Sequence, residues 1–218
     1  MRLQSAKLRG AVAACARPAM HRVLTPADYR ASSWRNGGGR TTELAVHPRG
    51  ADFAQFTWRV SIADVTQDGP FSTFAGVDRT LVLLRGAGMR LEGADATLDV
   101  RAPYDPISFA GDVAFGCMLH DGPVKDFNLM VRRSAARGDI DIVRGEAGTA
   151  RPACFRVCYA AAGPCECLLP GQPPLRLNEH DTLVVDAQGV PSPSLHVNPL
   201  SPATVALVVA IDMTGRPT

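Results

Sequence analysis

Phe56-Thr57-Trp58-Arg59-Val60-Ser61-Ile62 alternates apolar and polar residues with a period of two. In an extended strand successive side chains point to opposite faces. Phe56, Trp58, Val60 and Ile62 therefore share one face, and Thr57, Arg59 and Ser61 the other. Outward from this strand, β-rich runs fall at 80–84, 89–91, 97–100, 107–109, 113–119 and 127–132. A second series follows at 140–143, 154–159, 165–169, 182–185, 195–197 and 205–211. Gly, Pro and Asp separate the runs every ~8–12 residues, the spacing of a sandwich or barrel. Helical signal is confined to Thr25-Pro26-Ala27-Asp28-Tyr29, which reads as one capped turn with Thr25 as N-cap and Pro26 at the first helical position. A parallel α/β sheet needs crossover helices, so the predicted class is all-β.

The two series flank a polar, Arg- and Ala-rich stretch at 132–138. The expected organisation is two β-rich halves, 20–132 and 133–218, packed on each other because no long linker divides them. Residues 1–19 carry Arg2, Lys7, Arg9 and Arg17 and no acid. The apolar run within them, Ala11–Ala16, is short for a signal peptide and Arg17 interrupts it, so a disordered extension is expected, with Met20 as an alternative start.

Of 218 residues, 46% are hydrophobic and 20% charged, which suffices for a sizeable core and excludes a disordered or collagen-like chain. No stretch approaches the ~18–20 apolar residues of a membrane span. The formal charge is +2, from 23 basic and 21 acidic residues. Removing the four basic residues of 1–19 leaves 19 against 21, or −2, for the remainder. A mildly acidic body without basic clusters among aromatics disfavours nucleic acid as a partner.

Six cysteines are present, four of them in the spacing C-x3-C-x6-C-x-C from Cys154 to Cys167. Zinc sites favour pairs two to four residues apart, so small apolar cysteines filling a sheet core are expected instead, with Cys154 and Cys158 on one strand face. Without a secretion signal, a reducing cytoplasm and no structural disulfides are expected.

Chemistry concentrates in Ser33-Trp34-Arg35-Asn36-Gly37-Gly38-Gly39-Arg40-Thr41-Thr42-Glu43. Three glycines permit left-handed backbone and exposed N–H groups, the ingredients of an anion-binding nest; a plain turn into a strand near Thr41 is the alternative. Arg59 and Ser61 form a polar stripe that either lines a barrel lumen or faces water. Asp126 and Asn128 repeat the two-residue spacing, and Arg79 is available to pair with a carboxylate or an anionic ligand. Acid–base candidates are Glu43, Tyr104, His120 and Asp126. The five histidines form no H-x-H or H-E-x-x-H pair, which gives a metal site little support.

Taken together, these segments resemble the HutD/Ves family. The matching pieces are Trp34-Arg35-Asn36-Gly37-Gly38-Gly39 with Thr41 and Glu43, then Trp58–Ala63, Gly69–Arg79 and Asp126–Arg132, in family order. Ala75 stands where proline is common in this family, a change to loop stiffness rather than chemistry. The resemblance implies a bicupin-like pair of packed β-barrel or jelly-roll halves. It also implies a role in histidine utilisation or stress, through binding a small acidic metabolite such as formylglutamate or urocanate. Many cupins hold a metal with H-x-H plus a further His and Glu; this chain lacks that set, so no metal or other cofactor is expected.

The expected ligand-contacting set is Trp34, Asn36, Gly37, Gly38, Gly39, Thr41, Glu43, Arg59, Ser61, Phe71, Ser72, Arg79, Asp126 and Asn128. Arg supplies bidentate carboxylate recognition, Asn and Ser fix orientation, and Trp34 or Phe71 walls the pocket. The favoured reading is a non-catalytic cytoplasmic binder. Two alternatives stay open: a metal-independent isomerase or hydrolase using Glu43, His120 or Asp126, and a structural protein in which Asp126 and Arg59 or Arg79 merely satisfy each other. Exposed sheet edges make a homodimer plausible.

Overall fold

The computed structural model describes residues 19–34, 36–188 and 194–215. The extension expected at 1–19 lies outside these, except for Ala19. Within them the chain folds into nineteen strands and one 3-10 turn at Pro26–Asp28. That turn is the predicted capped one: Thr25 N–H and Oγ1 both bond Asp28 Oδ2, and Asp28 N–H reaches back to Thr25 O.

Eight strands build the first half: β4 (Trp58–Val65), β5 (Gly69–Phe71), β6 (Val77–Arg85), β7 (Met89–Glu92), β8 (Thr97–Val100), β9 (Pro106–Ala110), β10 (Phe115–Leu119) and β11 (Val124–Arg132). Eight more build the second: β12 (Ala136–Arg144), β13 (Gly148–Ala150), β14 (Phe155–Ala162), β15 (Cys165–Leu168), β16 (Leu175–Leu177), β17 (Thr182–Asp186), β18 (Leu195–Pro199) and β19 (Val205–Met213). The halves share one strand order. The larger sheets run β4-β11-β6-β9 and β12-β19-β14-β17, and the smaller ones β5-β10-β7-β8 and β13-β18-β15-β16. Each half thus pairs its first strand with its last and its second with its seventh, a jelly-roll arrangement. The link between them is only residues 133–135, shorter than the expected 132–138 because β11 and β12 run further than their apolar cores suggest.

Three strands precede these sixteen. β2 (Arg30–Ser33) and β3 (Gly39–His47) widen the first larger sheet beyond β4. β1 (Met20–Leu24) instead pairs antiparallel with β17, from Met20↔Asp186 to Leu24↔Thr182. The sequence groups residues 20–24 with the first half, but their ladder lies on the second half's sheet.

Period-two alternation decides where each side chain goes. Trp58, Val60 and Ile62 of β4, with Phe127, Leu129 and Val131 of β11, face the second half's larger sheet. There they pack on Phe155, Val157, Tyr159, Val184, Leu207, Val209 and Ile211. Phe56 lies apart from this seam, in a small cluster with Val46, Val77 and Met130. The opposite faces of the two larger sheets look into their own half. Leu81, Leu83, Met89, Leu91 and Phe115 fill the first interior, and Cys158, Cys165, Cys167, Leu177, Leu183 and Leu195 the second. Arg59, Ser61, Asp126 and Asn128 fall on the inward face of β4 and β11, buried within the first half.

Cys154 does not share a face with Cys158. It precedes β14 and packs in the seam between the halves, whereas Cys158 points into the second half. A four-thiolate site is therefore not formed. Among the described residues no helix is long and apolar enough to cross a membrane.

Candidate functional site

A cavity of about 480 Å³ opens into the first half. β4 contributes Arg59, Ser61 and Ala63, β11 contributes Asn128 and Met130, and β6 contributes Arg79. The turn from β2 to β3 adds Trp34 and Asn36, β3 itself adds Thr41, and the segment from β5 onward adds Phe71, Ser72 and Phe74. Nine of the expected ligand contacts thus meet on one wall system, although they lie far apart in sequence. They meet because β4, β11 and β6 are adjacent strands: Asn128 sits opposite Ser61 on one side and Leu81 on the other.

The cavity is cationic. Arg79 is only 6% exposed, yet its guanidinium is surrounded by the rings of Phe71, Phe109 and Phe74 at 4.6, 5.1 and 5.6 Å. Ring quadrupoles attract the cation and partly replace lost hydration. Its Nε donates to Asn128 Oδ1 at 3.3 Å and an Nη to Ser72 O at 3.3 Å. Burial pushes the Arg79 pKa down to about 10, while Asp126 pulls it up and Arg59 down, so it stays charged at neutral pH. Arg59 is held by Glu43, with Nε to Oε2 at 2.9 Å, and lies under the ring of Phe53 at 4.5 Å. Phe53, at the cavity edge, was missed from sequence because it sits in a loop with no alternation to mark it.

Glu43 and Asp126 stand behind the wall rather than in it. Glu43 is occupied by Arg59. Asp126 is fully buried; its Oδ1 accepts from Asn128 Nδ2 at 3.2 Å, and its Oδ2 has no hydrogen-bond partner among the described residues. Burial raises the Asp126 pKa to about 7 against the lowering by Asn128 and Arg79. The side chains thus form a file, Arg79 to Asn128 to Asp126, whose last member holds its proton at mildly acidic pH.

Two expected features take other roles. The glycine run is a tight turn, not an open anion nest: Gly37 N–H bonds Trp34 O at 3.1 Å and Gly38 N–H bonds Asn36 Oδ1 at 3.1 Å. Gly37 supplies φ of +73°. At Gly39 a Cβ would meet Asp64 O at 2.3 Å and the Trp34 ring at 3.1 Å. The turn therefore seats Trp34, whose Nε1 donates to Thr41 Oγ1 at 2.7 Å. His120, outside the cavity lining, bonds Asp99 with Nε2 at 2.5 Å, so it does not join Asp126 as an acid–base pair. Tyr104 lies in a different cleft, between the halves, with Tyr29, Tyr159 and His180.

Comparison with known proteins fits this architecture. The HutD family model matches residues 26–201. A 21.2 kDa protein from the hutC 3′ region of Pseudomonas putida is 34% identical over 161 residues, covering 74% of this chain and 84% of that protein. Protein Ves of Citrobacter koseri is 36% identical over 110 residues, 50% of this chain and 56% of its own. Among solved structures, a conserved protein of unknown function from Pseudomonas aeruginosa PAO1 superposes with a TM-score of 0.79 at 33% identity, covering 88% of this chain and 99% of that one. HutD from Pseudomonas fluorescens SBW25 gives 0.74 at 29%, covering 90% and 100%. Oxalate decarboxylase from Lactobacillus farciminis gives 0.60 at 8%, covering 89% and 86%, which shows a shared cupin fold and no more. The span matched by the family model takes in most of both halves and every segment that builds the cavity, and on that ground the chain belongs to the HutD family.

Proposed function

We propose that this protein binds a small carboxylate-bearing metabolite in the first half's cavity and acts in the cytoplasm as a modulator of histidine utilisation. The observation that carries this reading is the pairing of two buried guanidinium groups, Arg59 and Arg79, on one aromatic-walled cavity. Arg59 is paired with Glu43, so Arg79, which bonds no carboxylate among the described residues, is the excess cation on the wall; such a site matches an acid, since arginine reads carboxylates with paired N–H donors. Trp34, Phe71 and Phe74 supply flat apolar walls, and Ser61 and Asn128 supply polar contacts that fix orientation. Family membership and the hutC-region relative direct attention to acids of histidine breakdown, namely urocanate and formylglutamate. A catalytic role finds less support, because the carboxylates stand behind the wall and His120 lies outside it.

The test is thermal unfolding of the full chain with each acid at saturating concentration, for wild type and Arg59→Ala. A ligand that binds only the folded state raises the midpoint. We expect a rise for at least one acid in wild type and its loss in Arg59→Ala. No rise with either acid overturns the reading, and turnover of either acid replaces it with an enzymatic one.

A further inference from the structure

The interior of the second half holds a group of side chains that the carboxylate cavity does not use. Cys158 faces inward from β14, and Cys165 and Cys167 face inward from β15, which follows after a turn of two residues, Gly163 and Pro164. All three are at 0% exposure. Their Sγ atoms lie within 4.8 Å of one another. Around them are Leu177, Leu183, Val197 and Val208, so the surroundings are apolar. Among the described residues no His, Asp or Glu joins the cluster.

Donor type and donor number narrow what such a group takes. Sulfur donors select soft ions over oxygen-loving ones. Zinc prefers four ligands, and only three are present. Charge narrows the choice further, because an uncompensated charge in an apolar interior is expensive. Three thiolates around a monovalent or divalent ion carry net negative charge; around a trivalent ion they carry none. We propose that Cys158, Cys165 and Cys167 form a three-sulfur site for a soft trivalent ion, with trivalent arsenic as its representative.

Binding from arsenous acid balances without a redox step. Three As–O bonds break and three As–S bonds form. The three S–H protons leave with the three hydroxyl groups as water, and arsenic stays trivalent. The turn beside the site, at Gly163, is partly exposed and lies two residues from Cys165.

The experiment incubates the reduced full-length protein with sodium arsenite and reads bound arsenic by native mass spectrometry and X-ray absorption at the arsenic edge. One arsenic per chain with three sulfur neighbours and no oxygen is expected. Cys117→Ala, in the other half, retains it; Cys158→Ala weakens binding at least tenfold. Retained binding in Cys158→Ala, or an oxygen in the first shell of the wild-type complex, overturns the proposal. Should Cys158→Ala fail to fold, the wild-type absorption spectrum decides alone.

Discussion

Arg79 Nε donates to Asn128 Oδ1, and the same Asn128 amide donates through Nδ2 to Asp126. One asparagine therefore couples a cavity-facing cation to a fully buried carboxyl. The orientation of the guanidinium depends on an amide whose other end is fixed by a group that titrates near neutrality.

That coupling has a pH signature. Asp126 titrates at about 7 in the folded protein against a reference of 3.8. Between those values the folded state holds a proton that the unfolded state has released, so stability falls as pH rises from about 4 to about 7, by at most ~4 kcal/mol. Asp126→Asn abolishes this contribution, so its stability relative to wild type is greater at pH 8 than at pH 5. Urea unfolding of both proteins at the two pH values measures it; parallel behaviour removes Asp126 as the titrating group.

Arg79→Lys keeps the charge but not the planar fork. The lysine cannot hold Asn128 Oδ1 and Ser72 O together with a flat face against three phenyl rings. The expected loss is about tenfold or more in affinity for the carboxylate ligand. Calorimetry of both proteins checks this, and equal affinity excludes Arg79 from recognition.

The glycine turn separates positions of unequal tolerance. Gly39→Ala forces a methyl onto Asp64 O and the Trp34 ring and costs about 1–3 kcal/mol. Gly38→Ala meets nothing closer than 3.4 Å and is nearly neutral. Chemical unfolding of the pair tests whether close approach, rather than anion binding, explains the run. Equal effects would contradict that account.

Trp58, at 1% exposure, belongs to the seam between the halves. Trp58→Ala opens a cavity there and costs about 3–5 kcal/mol. Because the seam is shared, both halves lose protection together; hydrogen exchange that reports loss in the first half alone would show the two to be separable.

Much of the architecture was legible because period-two alternation is a local signal. It locates β4 and β11 and separates Trp58 from Arg59 and Phe127 from Asn128 from sequence alone. Strands lacking that signal escaped: β5 and β13 have three residues each, and β2 is exposed throughout. Site membership was legible to the extent that polar residues occupy an inward strand face. Phe53 lacked such a mark, and the glycines misled because composition reports backbone freedom, not which acceptors its N–H groups find. The sulfur group is hidden by the same limit, since period-two counting makes Cys154 equivalent to Cys158, whereas Cys154 precedes β14 and turns into the seam.

The ladder between β1 and β17 makes the molecule a buckle. The chain begins its described course on the far half, crosses through the 3-10 turn, builds the near half, and only then returns to lay down the strand that β1 needs. A cut after residue 132 would thus yield no clean modules. It would strip β17 of one of its two neighbours and leave a raw hydrogen-bonding edge, the surface on which sheets of different molecules stick together.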